Sequence, residues 1–289
     1  MKIACLIAKA PPTIYYVNQI HERHPISLVI VEKSVLVERR QTPIQQRMST
    51  YRKYGVLETV LAVSDELLRR SNRQSLDKVH QEYFKTDWYE INREIPVVYV
   101  DDINASEVPG CLKAIQPDII LDHGTSILKK PVIESADLAL NLHWGLSPYY
   151  RGTHCTEWAL INWDPYNIGV TMHRLSRKID GGDIAAQKRA IITPDDTAHS
   201  INMQLSVLGT DLACKILHKM ANGEMLAFEK QQTGLGFLTL DRQWSRYCRK
   251  HIQYIERNGI IARMLKNPVR SLRLPIVELP GDKTEDNAG

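Results

Sequence analysis

Residues 117–144 read PDIILDHGTSILKKPVIESADLALNLHW. Two short apolar runs, one ending in Asp122-His123 and one carrying Asn141 and His143, stand within a β-α alternation. Each is too short for a helix and rich in branched or aliphatic residues, the mark of a buried strand. The same pattern occurs upstream in MKIACLIA, ISLVIVE, IPVVYVDD and VPGCLKAI, all read as apolar runs of strand length. Between the first two, Ile14, Val17 and Ile20 fall on one face of a helix spanning Thr13 to Arg23. This order predicts an α/β fold with a Rossmann-like, mostly parallel sheet flanked by helices.

Residues 41–94 interrupt the alternation with a charged, helical pattern whose face is marked by Leu57, Val60, Leu61, Leu67 and Leu68. A helical insertion is expected there. Downstream, IGVTMHRL and DIAAQKRAII read as strands, residues 196–223 as a long amphipathic helix, and MLAFEKQQ as a closing strand. One domain is expected over 1–232 and a short basic helical extension over 233–289. In the extension nine basic residues between Arg242 and Arg273 oppose the single acid Glu256. Trp244, Tyr247, Cys248, Ile252 and Ile255 form a helical stripe that Asn258-Gly259 should end. Periodicity leaves that helix free to pack on its own domain or on a twin subunit in a homodimer. Its arginines either face water or offer a basic surface to an anion, and the polar tail GDKTEDNAG is expected to be disordered.

The composition bounds the function. With 289 residues and 43% hydrophobic content the chain can bury a core, and its net charge of +4 is too mild to demand nucleic acid or an anionic membrane. Five scattered cysteines without CxxC spacing argue against disulfides and zinc and suit a reducing cytoplasm. No apolar run has the roughly 20 residues of a membrane span. No HExxH occurs, and His21 and His24 lack a third partner, so no metal is expected.

Residues i and i+2 of a strand share a face, so Asn141 and His143 should project together near a strand's carboxyl end, where open α/β sheets bind ligands. Asp180, ahead of Gly181-Gly182, can reach the imidazole from a turn. An amide, an imidazole and a carboxylate suit acyl transfer: Asn141 to stabilise an oxyanion, His143 to take a proton, Asp180 to hold the imidazole and raise its pKa. No serine or cysteine nucleophile is needed.

The stretch from Asn141 to about Leu217 resembles the folate-dependent formyltransferases. The pattern comprises Asn141, His143, Pro148, Tyr150-Arg151-Gly152, Gly169-Val170-Thr171, His173 and Asp180-Gly181-Gly182. The resemblance implies the formyltransferase fold and transfer of formyl from 10-formyltetrahydrofolate to a primary amine. It makes Asn141, His143 and Asp180 the catalytic trio, with His173 beside the site. Pterin contacts are implied for backbone groups around Leu121, Asp122, His123, Gly124, Thr125 and Ser126, and around Arg177 and Ile179. The wording is closest to bacterial enzymes that formylate amino sugars carried on nucleotides. Trp144, Tyr149 and Tyr150, together with Trp158, would then stack on sugar or base or else pack in the core, and Arg151 would pair with a diphosphate or brace its loop. The loop IAKAPPT lacks a glycine-rich phosphate cradle, which disfavours a glycinamide ribonucleotide substrate. A methionyl-tRNA formyltransferase would carry a C-terminal barrel that the stretch after Gln232 is too short and too helical to form. Two alternatives stay open: a tRNA-directed enzyme and a non-catalytic folate- or anion-binding relative.

Overall fold

The computed structural model describes residues 1–33, 73–85, 89–267 and 272–281, with scattered helical positions between 48 and 64. Leu57, Leu67 and Leu68 of the expected helical insertion, and residues 282–289 of the tail, lie outside them.

A seven-stranded sheet forms the centre: β1 Ile3–Ala8, β2 Leu28–Glu32, β3 Val97–Val100, β4 Ile119–His123, β5 Leu138–His143, β7 Gly169–Arg174 and β8 Ile184–Arg189. Their order is β3-β2-β1-β4-β5-β7-β8. The first five pair in parallel, and β7 and β8 run antiparallel to what precedes them. The alternation of strand side chains splits β1 into two buried faces. Cys5 and Ile7 join Tyr16, Val17 and Ile20 of helix α1 (Pro11–Arg23) on one side. Ala4 and Leu6 join Val108 and Leu112 of α3 (Glu107–Ile115) on the other. Burial on both faces explains why these strands read as continuous apolar runs.

Local signals set the helix ends. Pro11 and Pro12 open α1, and Pro25 follows its end. Thr197 and Ser200 form a reciprocal capping box at the start of the long helix, α6 (Ala198–Ala221). The remaining helices are α2 (Arg73–Phe84), within the expected insertion, α4 (Lys130–Ile133), α5 (Cys155–Ile161), α7 (Arg246–Arg257) and α8 (Ile260–Leu265).

Two segments differ from expectation. VPGCLKAI is helix α3 rather than a strand-length run, because Pro109 falls in the first turn, where its missing N–H costs nothing. MLAFEKQQ forms no strand: its sheet contact is a single bridge between Glu229 and Ile184. A two-stranded parallel sheet of β6 (Tyr150–Gly152) and β9 (Phe237–Thr239), absent from the pattern reading, ties the turn after β5 to the stretch beyond residue 232.

Helix α7 starts with the Ser245 side chain accepting the Cys248 N–H and gives way to α8 at Gly259, as the Asn258-Gly259 stop predicts. Only part of the stripe is buried. Ile252 and Ile255 enter the main core with Ile260, Ile261 and Met264, while Tyr247 is exposed. Residues 272–281 then run back along β8, where Gln187 N–H donates to the Val277 carbonyl at 2.6 Å and Val277 N–H to Gln187 Oε1 at 3.0 Å. The C-terminal segment therefore shares the core of residues 1–232.

Candidate active site

The site begins as a row of residues across three strands. Register places Asp122 of β4 beside Asn141 of β5, and Asn141 beside His173 of β7. All three are buried, and His143 follows two residues along β5 on the same face.

Asp180 arrives from the turn between β7 and β8. Gly182 lets that turn lie flat on β7, since a Cβ there would overlap the Arg174 carbonyl. Asp180 itself takes a left-handed backbone, φ 44°, which aspartate tolerates better than most residues. Its Oδ2 accepts the Gly152 N–H at 2.7 Å and lies 3.5 Å from His143 Nδ1; its Oδ1 lies 3.6 Å from His173 Nε2. Gly152 can make this contact because it has φ 93° and packs its Cα on the Thr239 backbone. The structure thus brings Asn141, His143, His173 and Asp180 together.

Burial pushes the Asp180 carboxyl up, but the His143 and His173 imidazoles and the Gly152 N–H outweigh it and hold it well below the usual carboxylate range. Asp180 is a carboxylate at neutral pH. For His143 the expectation was a raised pKa. Burial lowers it, and although Asp180 pulls upward, the net direction is down. The ring's Nε2 faces the Tyr150 carbonyl at 3.0 Å and must carry a proton there. Neutral His143 therefore presents the lone pair of Nδ1 on the side of Asp180.

The partners around the Asn141 amide fix which end is nitrogen. Toward β4 the nitrogen donates to the Asp122 carbonyl at 3.1 Å and to Asp122 Oδ2 at 2.9 Å, and toward β7 the oxygen accepts from His173 Nε2 at 3.2 Å. His173 Nδ1 faces the Arg174 carbonyl at 2.9 Å.

The loop after β4 is held from below. Glu32, at the end of β2 and fully buried, accepts the Ser126 N–H at 2.8 Å, and Thr125 Oγ1 donates to Asp122 Oδ1 at 2.6 Å. Gly124 turns the chain with φ 76°. Burial raises the Asp122 carboxyl to about 7 and lowers His123 to about 4. A second brace supports the loop after β5: Thr171 Oγ1 donates to the Gly145 carbonyl and accepts from Ser147 N–H and Gln187 Nε2. Sequence reading assigned no role to Glu32 or Gln187 and named Thr171 only within the family motif. For Glu32 the available signal was a single polar residue closing the apolar strand LVIVE.

A family model described as Formyl transferase matches residues 34–217, more than half of the chain. The chain belongs to the formyl transferase family. Methionyl-tRNA formyltransferase of Chlorobium chlorochromatii is 34% identical over 128 residues, 44% of this chain and 40% of that protein. Its counterpart in Lactobacillus johnsonii is 34% identical over 147 residues, 50% of this chain and 46% of that one. The match thus spans less than half the length of these two relatives. Among solved structures, a 4-N formyltransferase from Francisella tularensis superposes with a TM-score of 0.54 at 16% identity, covering 88% of this chain and 87% of that one. An N-formyltransferase from Helicobacter canadensis, in complex with folinic acid and dTDP-3-aminofucose, gives 0.52 at 17%, covering 85% and 73%. At these identities the fold is what is shared.

The fold decides the surroundings of several residues that the sequence singled out in this family member. Tyr150 is buried, with its hydroxyl donating to Asp164 at 2.9 Å, so its ring is core and not a stacking platform. Arg151 is buried too. Its Nη2 donates to the Thr233 carbonyl at 2.7 Å and its Nη1 to the Ile179 carbonyl at 3.4 Å, so it braces the Asp180 turn and is not presented to a diphosphate. Leu121 lies in β4 with its side chain in the core, and Arg177 is exposed, neither of which bears on the backbone contacts expected of them. Tyr149 is half-buried and donates to the Pro275 carbonyl at 3.0 Å; Trp158 packs edge-on against Trp244. Trp144 stays beside the site, 5.4 Å from the His123 ring, with its indole N–H buried and unpartnered among the described residues. Among those residues no cluster of three His, Cys, Asp or Glu side chains is arranged to hold a metal, and no helix is long and apolar enough to cross a membrane.

Proposed function

We propose that the protein transfers a formyl group from 10-formyltetrahydrofolate to a primary amine, with Asn141, His143 and Asp180 as the acting residues. The observation that carries this reading is the Nδ1 lone pair of a buried, neutral His143 held 3.5 Å from a permanently ionised Asp180. A base must be neutral before it acts and stabilised as a cation afterwards. This pair supplies both. When bound, the folate supplies an activated formyl carbon. Residues 122–126 suit its flat ring: a thin turn at Gly124, a carboxyl at Asp122 near its neutral point, and the Thr125 hydroxyl. Ile179, whose carbonyl Arg151 holds, lines the turn opposite.

His143 Nδ1 takes the proton of the attacking amine as the new carbon–nitrogen bond forms, and Asp180 pairs with the resulting imidazolium. An Asn141 N–H supports the oxyanion. His143 then returns the proton to the folate N10 as the old bond breaks, leaving an N-formyl amine and tetrahydrofolate. The chemistry balances without any enzyme nucleophile.

For the acceptor we favour an amino sugar carried on a nucleotide. Support comes from residues 233–267 and 272–281, which pack on the core as helices and a strap. We place the catalytic unit at 1–232 and this segment as its extension. The sequence relatives named above favour methionyl-tRNA as the second reading. Purified protein with 10-formyltetrahydrofolate should add one formyl mass to a nucleotide-linked 3-amino or 4-amino sugar and release tetrahydrofolate. Formylation of initiator methionyl-tRNA alone would establish the second reading. Folate binding with no product from any amine would favour a non-catalytic relative.

A further inference from the structure

Behind the sheet lies a cavity that holds none of the proposed acting residues. Successive residues of a strand point to opposite faces. Gln187 of β8 turns its side chain to Ser147 and Thr171, on the face that bears the trio. Its neighbour Lys188 therefore points to the other face, where its Nζ stands 3.9 Å from Asp211 of α6. There α6, β8, α8 and the strap 272–281 border a cavity of about 490 Å³. Small-molecule sites usually measure roughly 300–1,000 Å³.

The lining has two chemistries. Leu208 of α6, Leu265 of α8, and Ile276 and Leu279 of the strap give it aliphatic walls. Four basic residues, Lys188, Arg189, Lys215 and Arg273, stand against the single acid Glu278 among the described residues that line it. Two of the four share one carboxylate with a third cation: Asp211 has Lys215 Nζ at 3.3 Å, Arg23 Nη1 at 3.6 Å and Lys188 Nζ at 3.9 Å. One negative charge meets three positive ones, so a surplus of positive charge lies beside an aliphatic wall. Tyr166, the one aromatic residue among the described lining, already carries the Arg273 guanidinium 5.9 Å from its ring centre. The body that fits is aliphatic rather than flat and aromatic.

We propose that this cavity is a second ligand site, for a small aliphatic anion whose chain lies against the leucine and isoleucine walls and whose carboxylate or phosphate head meets Lys188 and Lys215. Burial of the chain drives binding, and the head answers charge that Asp211 alone does not neutralise. Such a ligand also bears on the strap. The strap is tied to β8 by the reciprocal bonds of Val277 and Gln187, and to the turn after β5 by the Tyr149 hydroxyl on the Pro275 carbonyl. Occupancy therefore holds the strap against the sheet.

Decanoate, decyl phosphate and decanol are the probes, and calorimetry on the full chain reads their binding. One site should take the anions at least about tenfold more tightly than the uncharged decanol, and the tighter anion identifies the head. Lys188→Gln combined with Lys215→Gln leaves the walls intact and should raise the anion Kd about tenfold or more. Ala190→Phe places a ring in the cavity from the end of β8 and should abolish binding, with a urea midpoint near that of the wild type showing that it folds. Hydrogen exchange gives the location: bound anion should slow the Gln187 and Val277 amides and leave residues 119–126 unchanged. None of these readouts depends on formyl transfer. No saturable binding of either anion, equal affinity for decanol, unchanged affinity in both variants, or protection at 119–126 in place of Gln187 and Val277 would each overturn the inference.

Discussion

Asp180 Oδ2 faces His143 Nδ1 at 3.5 Å while accepting the Gly152 N–H at 2.7 Å. The carboxylate is thus fixed by a backbone group and not by the imidazole, and His143 is free to gain and lose a proton beside a charge that does not move. For Asp180→Asn the Gly152 contact survives through the amide oxygen, but the compensating charge is gone. We expect kcat to fall about 100-fold or more with little change in KM, read by initial rates of tetrahydrofolate release. An equal rise in KM with kcat intact would instead make Asp180 a binding residue.

His143→Ala removes the proposed base and, because Nε2 also anchors the Tyr150 carbonyl, one bond of the loop. Transfer should drop by at least about 100-fold. Folate binding, measured by calorimetry, should remain. Near wild-type turnover would sink the mechanism.

The neighbours Asp122 and His123 respond to pH in opposite directions. Burial raises Asp122 from 3.8 to about 7, so the folded state binds that proton more tightly; its stabilisation is complete below pH 3.8 and lost as pH rises through 7. Burial lowers His123 from 6.5 to about 4, so its stabilisation is present above pH 6.5 and lost as pH falls to 4. Between pH 4 and 6.5 the two nearly cancel. Asp122→Asn removes one side of the balance. Relative to wild type, its unfolding free energy should climb by about 2–3 kcal/mol from pH 4.5 to 6.5. Urea midpoints at the two values measure it, and parallel pH profiles would show that Asp122 does not titrate in this window.

Arg151→Lys tests bracing against ligand pairing. Lysine keeps the charge but lacks the fork that reaches both Thr233 and Ile179 carbonyls. The variant should lose about 2–4 kcal/mol of stability, as expected for a disrupted buried polar network. Acceptor KM should hold. A large rise in KM with stability intact would return Arg151 to the diphosphate.

What was legible in the chain was whatever is encoded locally. Strands buried on both faces leave continuous apolar runs, and Thr197 with Ser200 and the Asn258-Gly259 stop mark helix ends through bonds a few residues long. Asn141 and His143 stood out because strand geometry alone puts i and i+2 on one face. Less legible were features set by distance in space. The capture of residues 272–281 by β8 depends on Gln187 meeting Val277, a partnership with no local signature. Whether Tyr150 and Arg151 look outward or inward was decided by Asp164, Thr233 and Ile179 arriving beside them. The charge states were decided there too, because burial, which only packing creates, drives His143 down despite its carboxylate and lifts Asp122 to about 7. Sequence by itself determined which polar residues stand together at the strand end; tertiary structure decided their protonation and their partners, because desolvation and cross-strand contact exist only in the folded chain.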